Sequence, residues 1–126
     1  MNDVNIYLKF ISLTVFMLSI WLLHRSHAAL GKMWSITVEP KNKTQLVTKG
    51  VYKRIRHPMY TAHLVWGTAQ LMFFPNYVAG PSALIIFLTI IILRIPREEK
   101  ALIKEFGEEY ERYILQTGRI LPKIIN

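Results

Sequence analysis

At 126 residues, 52% hydrophobic and with a net charge of +8, the chain is long enough for one domain and too apolar to be disordered. It has no cysteine, which excludes a disulfide framework, a thiolate zinc site and a cysteine nucleophile. The basic residues alternate in blocks with long apolar runs, a pattern that points to a membrane and away from nucleic acid.

The first apolar segment, residues 6–23, holds one charge, Lys9, close enough to its end to snorkel into headgroups. The alternative of a signal peptide is disfavoured, because the residues before it are nearly uncharged and Arg25 precedes any small-residue cleavage site. Residues 24–57 then read as a polar loop in which His24 and His27 are interfacial.

The loop closes on "RIRHPMY". Pro58 disfavours helix at His57 and pre-sets the first turn of the next helix, so His57 falls at a helix N-terminus. The free N–H groups of that first turn and the helix dipole suit a carboxylate or phosphate, with Tyr52 and Tyr60 as flanking aromatics. Read alone, the same cluster is a headgroup grip: Arg54 and Arg56 on lipid phosphates, the tyrosines in an aromatic belt.

From Pro58 to Leu93 there are 36 residues without Asp, Glu, Lys or Arg, whereas one crossing needs about 20. The run is expected to be a helical hairpin, 58–74 and 77–93, turning at "PNYVAGP". Within it, His63 is expected to be structural, with Gln70 about two turns away on the same polar seam. Eight basic residues lie in 25–56, seven in 94–123 and none in the turn, which places both blocks and the rim between them in the cytoplasm.

Residues 94–126 form the tail. Pro96, with Glu98 and Glu99 behind it, has the chemistry of a helix start, and Leu102, Phe106, Tyr110, Tyr113 and Thr117 recur on one amphipathic face. A helix running on through Pro96 would instead pair Arg94 with Glu98 at i,i+4. Since a hairpin brings its ends together, His57, Tyr60, Arg94, Glu98 and Glu99 are expected to converge at one rim. The fold class is therefore an all-α integral membrane protein in one domain over 1–126, with three spans and a C-terminal amphipathic helix. The four histidines lack ligand spacing with the acids, and no metal is expected.

"QLVTKGVYKRIRHPMY", "RIPREE", "EFGEEY" and "TGRILPKI", in this order, together with "LGKMWS", resemble the isoprenylcysteine carboxyl methyltransferase family, close kin of phospholipid methyltransferases, over about residues 30–124. The resemblance implies a multi-pass membrane enzyme that binds S-adenosylmethionine at the cytoplasmic side and methylates a lipophilic, membrane-associated acceptor. By position, Leu46, Val47, Tyr52, His57, Pro58, Met59, Tyr60 and Glu99 match the family's cofactor-binding residues, and Arg94 matches the arginine assigned to the substrate. Thr44 departs from the family, whose prenylcysteine enzymes usually carry histidine there. There are also fewer spans than in fuller members, which implies a different substrate tunnel or one completed by a second subunit.

The residue types suit that cofactor, which carries a carboxylate, an amine, ribose hydroxyls and an adenine ring. A carboxylate acceptor needs no base, only alignment by a guanidinium such as Arg94. An amine acceptor would need Glu98 or His57 to remove a proton. Carboxyl O-methylation of a prenylcysteine-like substrate stands first, before phospholipid amine N-methylation, a nicotinamide-dependent membrane reductase and a non-catalytic membrane protein.

Overall fold

The structure, a computed structural model, describes residues 3–31 and 45–123. Thr44 and most of the "LGKMWS" block lie outside the described residues. Four α-helices follow in order: α1 (Asp3–Leu30), α2 (Pro58–Phe73), α3 (Ala79–Phe106) and α4 (Glu108–Gln116), with a short 3-10 turn, Gly50–Lys53, ahead of α2. No β-strand occurs among the described residues, which hold one isolated parallel bridge, between Ile55 and Gly118.

α1 is longer than the expected segment and absorbs residues 24–30 from the polar loop. Nothing in "HRSHAAL" breaks a helix, and Ala28, Ala29 and Leu30 are strong formers. The helix stops where Gly31 takes φ 53°, a conformation that favours glycine after a helix C-terminus. Arg25 stays inside it, with its guanidinium 5.8 Å from the Trp21 ring centroid.

α1 and α2 pack antiparallel, with the Lys9 ammonium over the Phe73 ring and Phe16 edge-on to Trp66. Their contact is built from small residues. Ser12, Ser19 and Ser26, seven apart on one stripe of α1, are all buried, as are Ala62 and Ala69 on α2. Each serine hydroxyl donates to a carbonyl one turn back, so no polar atom is stranded between the helices.

α2 and α3 form the expected hairpin. Asn76 Oδ1 accepts the Val78 and Ala79 N–H groups, starting α3 at Ala79 and not at residue 77. His63 and Gln70 both face α3 but serve separate contacts: His63 packs its ring on Phe87, and the Gln70 amide donates to Ala79 and Ser82.

The larger departure is at Pro96. α3 does not end at residue 93; it runs through Pro96 to Phe106, so Pro96 is internal and not the start of a tail helix. The missing N–H costs one bond, while Ile91, Ile95 and Glu99 keep a buried stripe at four-residue spacing that carries the helix past it. Gly107, with φ 57°, ends α3 and divides the expected amphipathic face: Leu102 and Phe106 lie on α3, Tyr110 and Tyr113 are buried on α4, and Thr117 is buried just beyond it.

Residues Asn5–Leu30 and Ala79–Phe106 are long and apolar enough to cross a membrane. At about 42 Å by its helical rise, α3 is longer than a hydrocarbon core of about 30 Å.

Close packing of α2 on α3 depends on Gly67, where a Cβ would lie 2.9 Å from Leu84 Cα. Gly67→Ala should push the helices apart and destabilise the protein by about 1–3 kcal/mol. Thermal unfolding in detergent reads this directly, and an unchanged midpoint would contradict the close approach.

Candidate functional site

The end of the hairpin where α2 begins and α3 projects is the most polar part of the molecule. Pro58 occupies the first turn of α2 and His57 caps it, and both are buried. Because α3 continues as helix, Arg94, Glu98 and Glu99 are carried over that N-terminus on consecutive turns.

Glu99 is the centre. Its Oε1 accepts from Arg56 Nε at 3.0 Å and lies 3.1 Å from His57 Nε2, and its Oε2 accepts from Arg119 Nη2 at 2.9 Å. Taking a carboxylate out of water costs several kcal/mol unless it is paired and hydrogen-bonded, which these contacts accomplish. Glu98 forms a second, shallower node: Tyr60 donates its hydroxyl to Oε1 at 2.5 Å, Arg94 Nη2 lies 3.3 Å from the same oxygen, and His57 Nδ1 is 3.7 Å from Oε2. His57 thus stands between the two carboxylates, with its ring 5.7 Å from that of Tyr60.

The chain beyond α4 closes one side. Arg56 N donates to Gly118 O, His57 N to Arg119 O and Gly118 N to Arg54 O, so residues 54–57 and 118–119 lie alongside one another. Thr61 Oγ1 reaches Ile120 O at 2.6 Å. Arg56 ties the arrangement together: besides Glu99, its Nη1 donates to Ile114 O, Thr117 O and Thr117 Oγ1, satisfying carbonyls at the C-terminus of α4.

Beneath this lies a phenol layer. Tyr113 donates to Tyr52 O at 2.5 Å, and Tyr110, only 1% exposed, lies with its ring tilted against that of Tyr113, centroids 5.8 Å apart. Burial pushes the Tyr52, Tyr110 and Tyr113 hydroxyls well above the usual phenol range, with the Glu99 carboxylate adding to the effect at Tyr110, so all three stay neutral.

His57, Pro58, Tyr60, Arg94, Glu98 and Glu99 therefore meet, as the hairpin argument requires. Met59 lies in the same first turn, half-buried, with its carbonyl bonded to His63 Nδ1. Tyr52 is buried next to the rim through Tyr113. Leu46 and Val47 are half-buried in the irregular segment before the 3-10 turn. Sequence reasoning missed Arg56, Arg119 and Thr117 as site residues. Read alone, Arg56 is a grip on lipid headgroups, whereas its side chain is 7% exposed and faces inward. The order of "RIRHP" and "TGR" around two acidic residues was the available signal.

Several known proteins are similar to this chain. The model of the isoprenylcysteine carboxyl methyltransferase (ICMT) family matches residues 7–104. A probable protein-S-isoprenylcysteine O-methyltransferase of Oryza sativa subsp. indica is 32% identical over 89 residues, covering 71% of this chain and 47% of the relative. The protein-S-isoprenylcysteine O-methyltransferase of Schizosaccharomyces pombe is 33% identical over 90 residues, 71% of this chain and 38% of the relative. Among solved structures, a eukaryotic intramembrane Ras methyltransferase, ICMT, superposes with a TM-score of 0.82 at 28% identity, covering 94% of this chain and 43% of the other. The chain thus spans less than half the length of these relatives.

Replacing Arg56 by Ala leaves Glu99 with an incomplete shell and removes the bonds that hold the end of α4. It should cost about 3–5 kcal/mol, the penalty for breaking a buried pair. Hydrogen exchange should quicken at Arg56, His57 and Gly118 ahead of the α1–α2 interface; uniform protection would contradict the tie.

Proposed function

The chain belongs to the isoprenylcysteine carboxyl methyltransferase family, and we propose that it is a membrane-embedded, S-adenosylmethionine-dependent methyltransferase acting on the carboxylate of a prenylcysteine-like acceptor. The observation that carries this reading is the convergence of His57, Tyr60, Arg94, Glu98 and Glu99 at one end of the hairpin, in a chain whose relatives are named for that chemistry.

The donor set fits the cofactor. The amides of Met59 and Tyr60 precede the first backbone bond of α2, Thr61 N to His57 O, and suit the cofactor's carboxylate. Glu99 can accept about four hydrogen bonds, of which three are used, and Oε2 has only Arg119, leaving capacity for an ammonium. Half-buried Tyr60 offers ring surface, and Leu46 and Val47 an apolar flank, for the adenine, while Tyr52, His57 and Pro58 are buried. Bound there, S-adenosylmethionine supplies a methyl group on a sulfonium, so the protein needs no nucleophile of its own.

What remains for the chain is to orient the acceptor. Arg94, half-buried where α3 leaves the apolar region, presents a planar cation suited to a carboxylate in two-point contact. Glu98 holds that guanidinium from one turn away, and Tyr60 holds Glu98. A carboxylate acceptor arrives with its lone pairs available, so no base is required; alignment is the catalytic contribution. In this reading α1, α2 and α3 cross the membrane, and the basic blocks at 25–56 and 94–123 put the rim on the cytoplasmic side.

Topology is checked with reporters: one fused after Asn126 should be active in the cytoplasm and one inserted at Asn76 inactive, and activity at Asn76 would invert the arrangement. Calorimetry with S-adenosylmethionine should show weakening of about 10- to 150-fold in Glu99→Gln and in His57→Ala, the equivalent of one charge-assisted hydrogen bond. Unchanged affinity in both removes the cofactor from this rim. Arg94→Lys should leave that affinity near normal while cutting turnover of a prenylcysteine analogue at least tenfold, since ammonium keeps the charge and loses the fork. Full turnover in the lysine variant would refute the alignment role.

A further inference from the structure

At the other end of the hairpin a cleft of about 260 Å³ opens between α1 and α2. Leu13 and Phe16 form its α1 wall, and Trp66, Ala69 and Phe73 its α2 wall. The polar side chains that border it are already engaged: the Ser12 hydroxyl donates to Lys9 O at 2.8 Å, and the Gln70 amide donates to Ala79 O at 2.7 Å and to Ser82 Oγ at 3.2 Å. Nothing in the wall calls for a polar occupant, and what fits is hydrocarbon.

The mouth of the cleft differs from its walls. Lys9, one turn before Leu13, is half-buried, with its ammonium 5.7 Å from the centroid of Phe73. An ammonium has three donors, and a ring face answers only its charge. The described glutamates, from Glu98 to Glu111, all lie at the rim end or on α4, and Asp3, six residues before Lys9 on α1, is off the three- or four-residue spacing that pairs side chains along a helix. Lys9 is also the one basic residue outside the two basic blocks.

We propose that this cleft binds one acyl chain of an anionic phospholipid, with Lys9 holding the phosphate at its mouth. The dimensions agree. Phe73 is the last residue of α2, level with the hairpin turn, and Trp66 lies seven residues along, about 10 Å into a hydrocarbon layer about 30 Å thick. A chain entering beside Phe73 therefore passes Ala69 and reaches Trp66 while its headgroup stays at the interface. Along α2 the mouth at Phe73 lies about 22 Å from Pro58 and the inner end at Trp66 about 12 Å, so the cleft is separate from the methyl-transfer centre. Net negative charge on the lipid is the selected property, because a zwitterionic headgroup already answers its own phosphate.

Trp66 reports on the cleft. With Trp21→Phe and Trp34→Phe it becomes the sole tryptophan, and its quenching by lipids brominated at carbons 6 and 7 measures occupancy in vesicles. Dibromo-phosphatidylglycerol should quench at a several-fold lower mole fraction than dibromo-phosphatidylcholine. Lys9→Gln should abolish that preference with the thermal midpoint retained, and Lys9→Arg should preserve it. Equal quenching by the two lipids, or an undiminished preference in Lys9→Gln, overturns the proposal. Relief of quenching by a prenylcysteine analogue overturns it as well, by giving the cleft to the acceptor's chain.

Discussion

A buried carboxylate cannot stand alone in an apolar protein, and the constraint imposed by Glu99 organises much of what surrounds it. Its partners come from two stretches far apart in sequence: Arg56 and His57 before α2, and Arg119 after α4. Each contact fixes a segment with no helical ladder of its own. The polar centre is therefore also the joint through which the last part of the chain is attached to the hairpin.

Helical continuity is what delivers Glu99 to that position. Had α3 ended before Pro96, the two glutamates would sit on a tail free to leave the start of α2. Packing of Ile91 and Ile95 keeps them in phase with the helix and over the start of α2. Small residues act to the same end on the other side: the buried serines of α1 and alanines of α2 allow close approach, which steadies the N-terminus of α2 where His57 is mounted. Membership of the isoprenylcysteine carboxyl methyltransferase family then gives this arrangement its chemical meaning.

The hairpin and the meeting of its two polar ends were legible in the sequence, because charge is nearly absent from residues 58–93 and concentrated on either side. Helix ends were less so. α1 outruns its apolar segment because apolarity reports on solvent and not on backbone, and "HRSHAAL" is polar yet helical. Pro96 misled because local preference for a helix start competes with tertiary packing that lies outside any short window. The roles of Arg56 and Arg119 were not legible at all. Arg56 and Thr117 are 61 residues apart and follow no period, and a guanidinium that ties a buried centre has the same letter as one that grips a lipid.

The order of these partners along the chain has a consequence for biogenesis. Arg119 is made 20 residues after Glu99, and Ile114 and Thr117, which anchor Arg56, are also made late. A growing chain can form α1, α2 and α3 while the Glu99 carboxylate still lacks part of its shell, so the hairpin must pass through a state with an incompletely answered charge. Assembly is completed from the C-terminal side. Quality control that recognises an exposed, unpaired charge would thus distinguish a chain released early from a finished one, even though both carry the same helices.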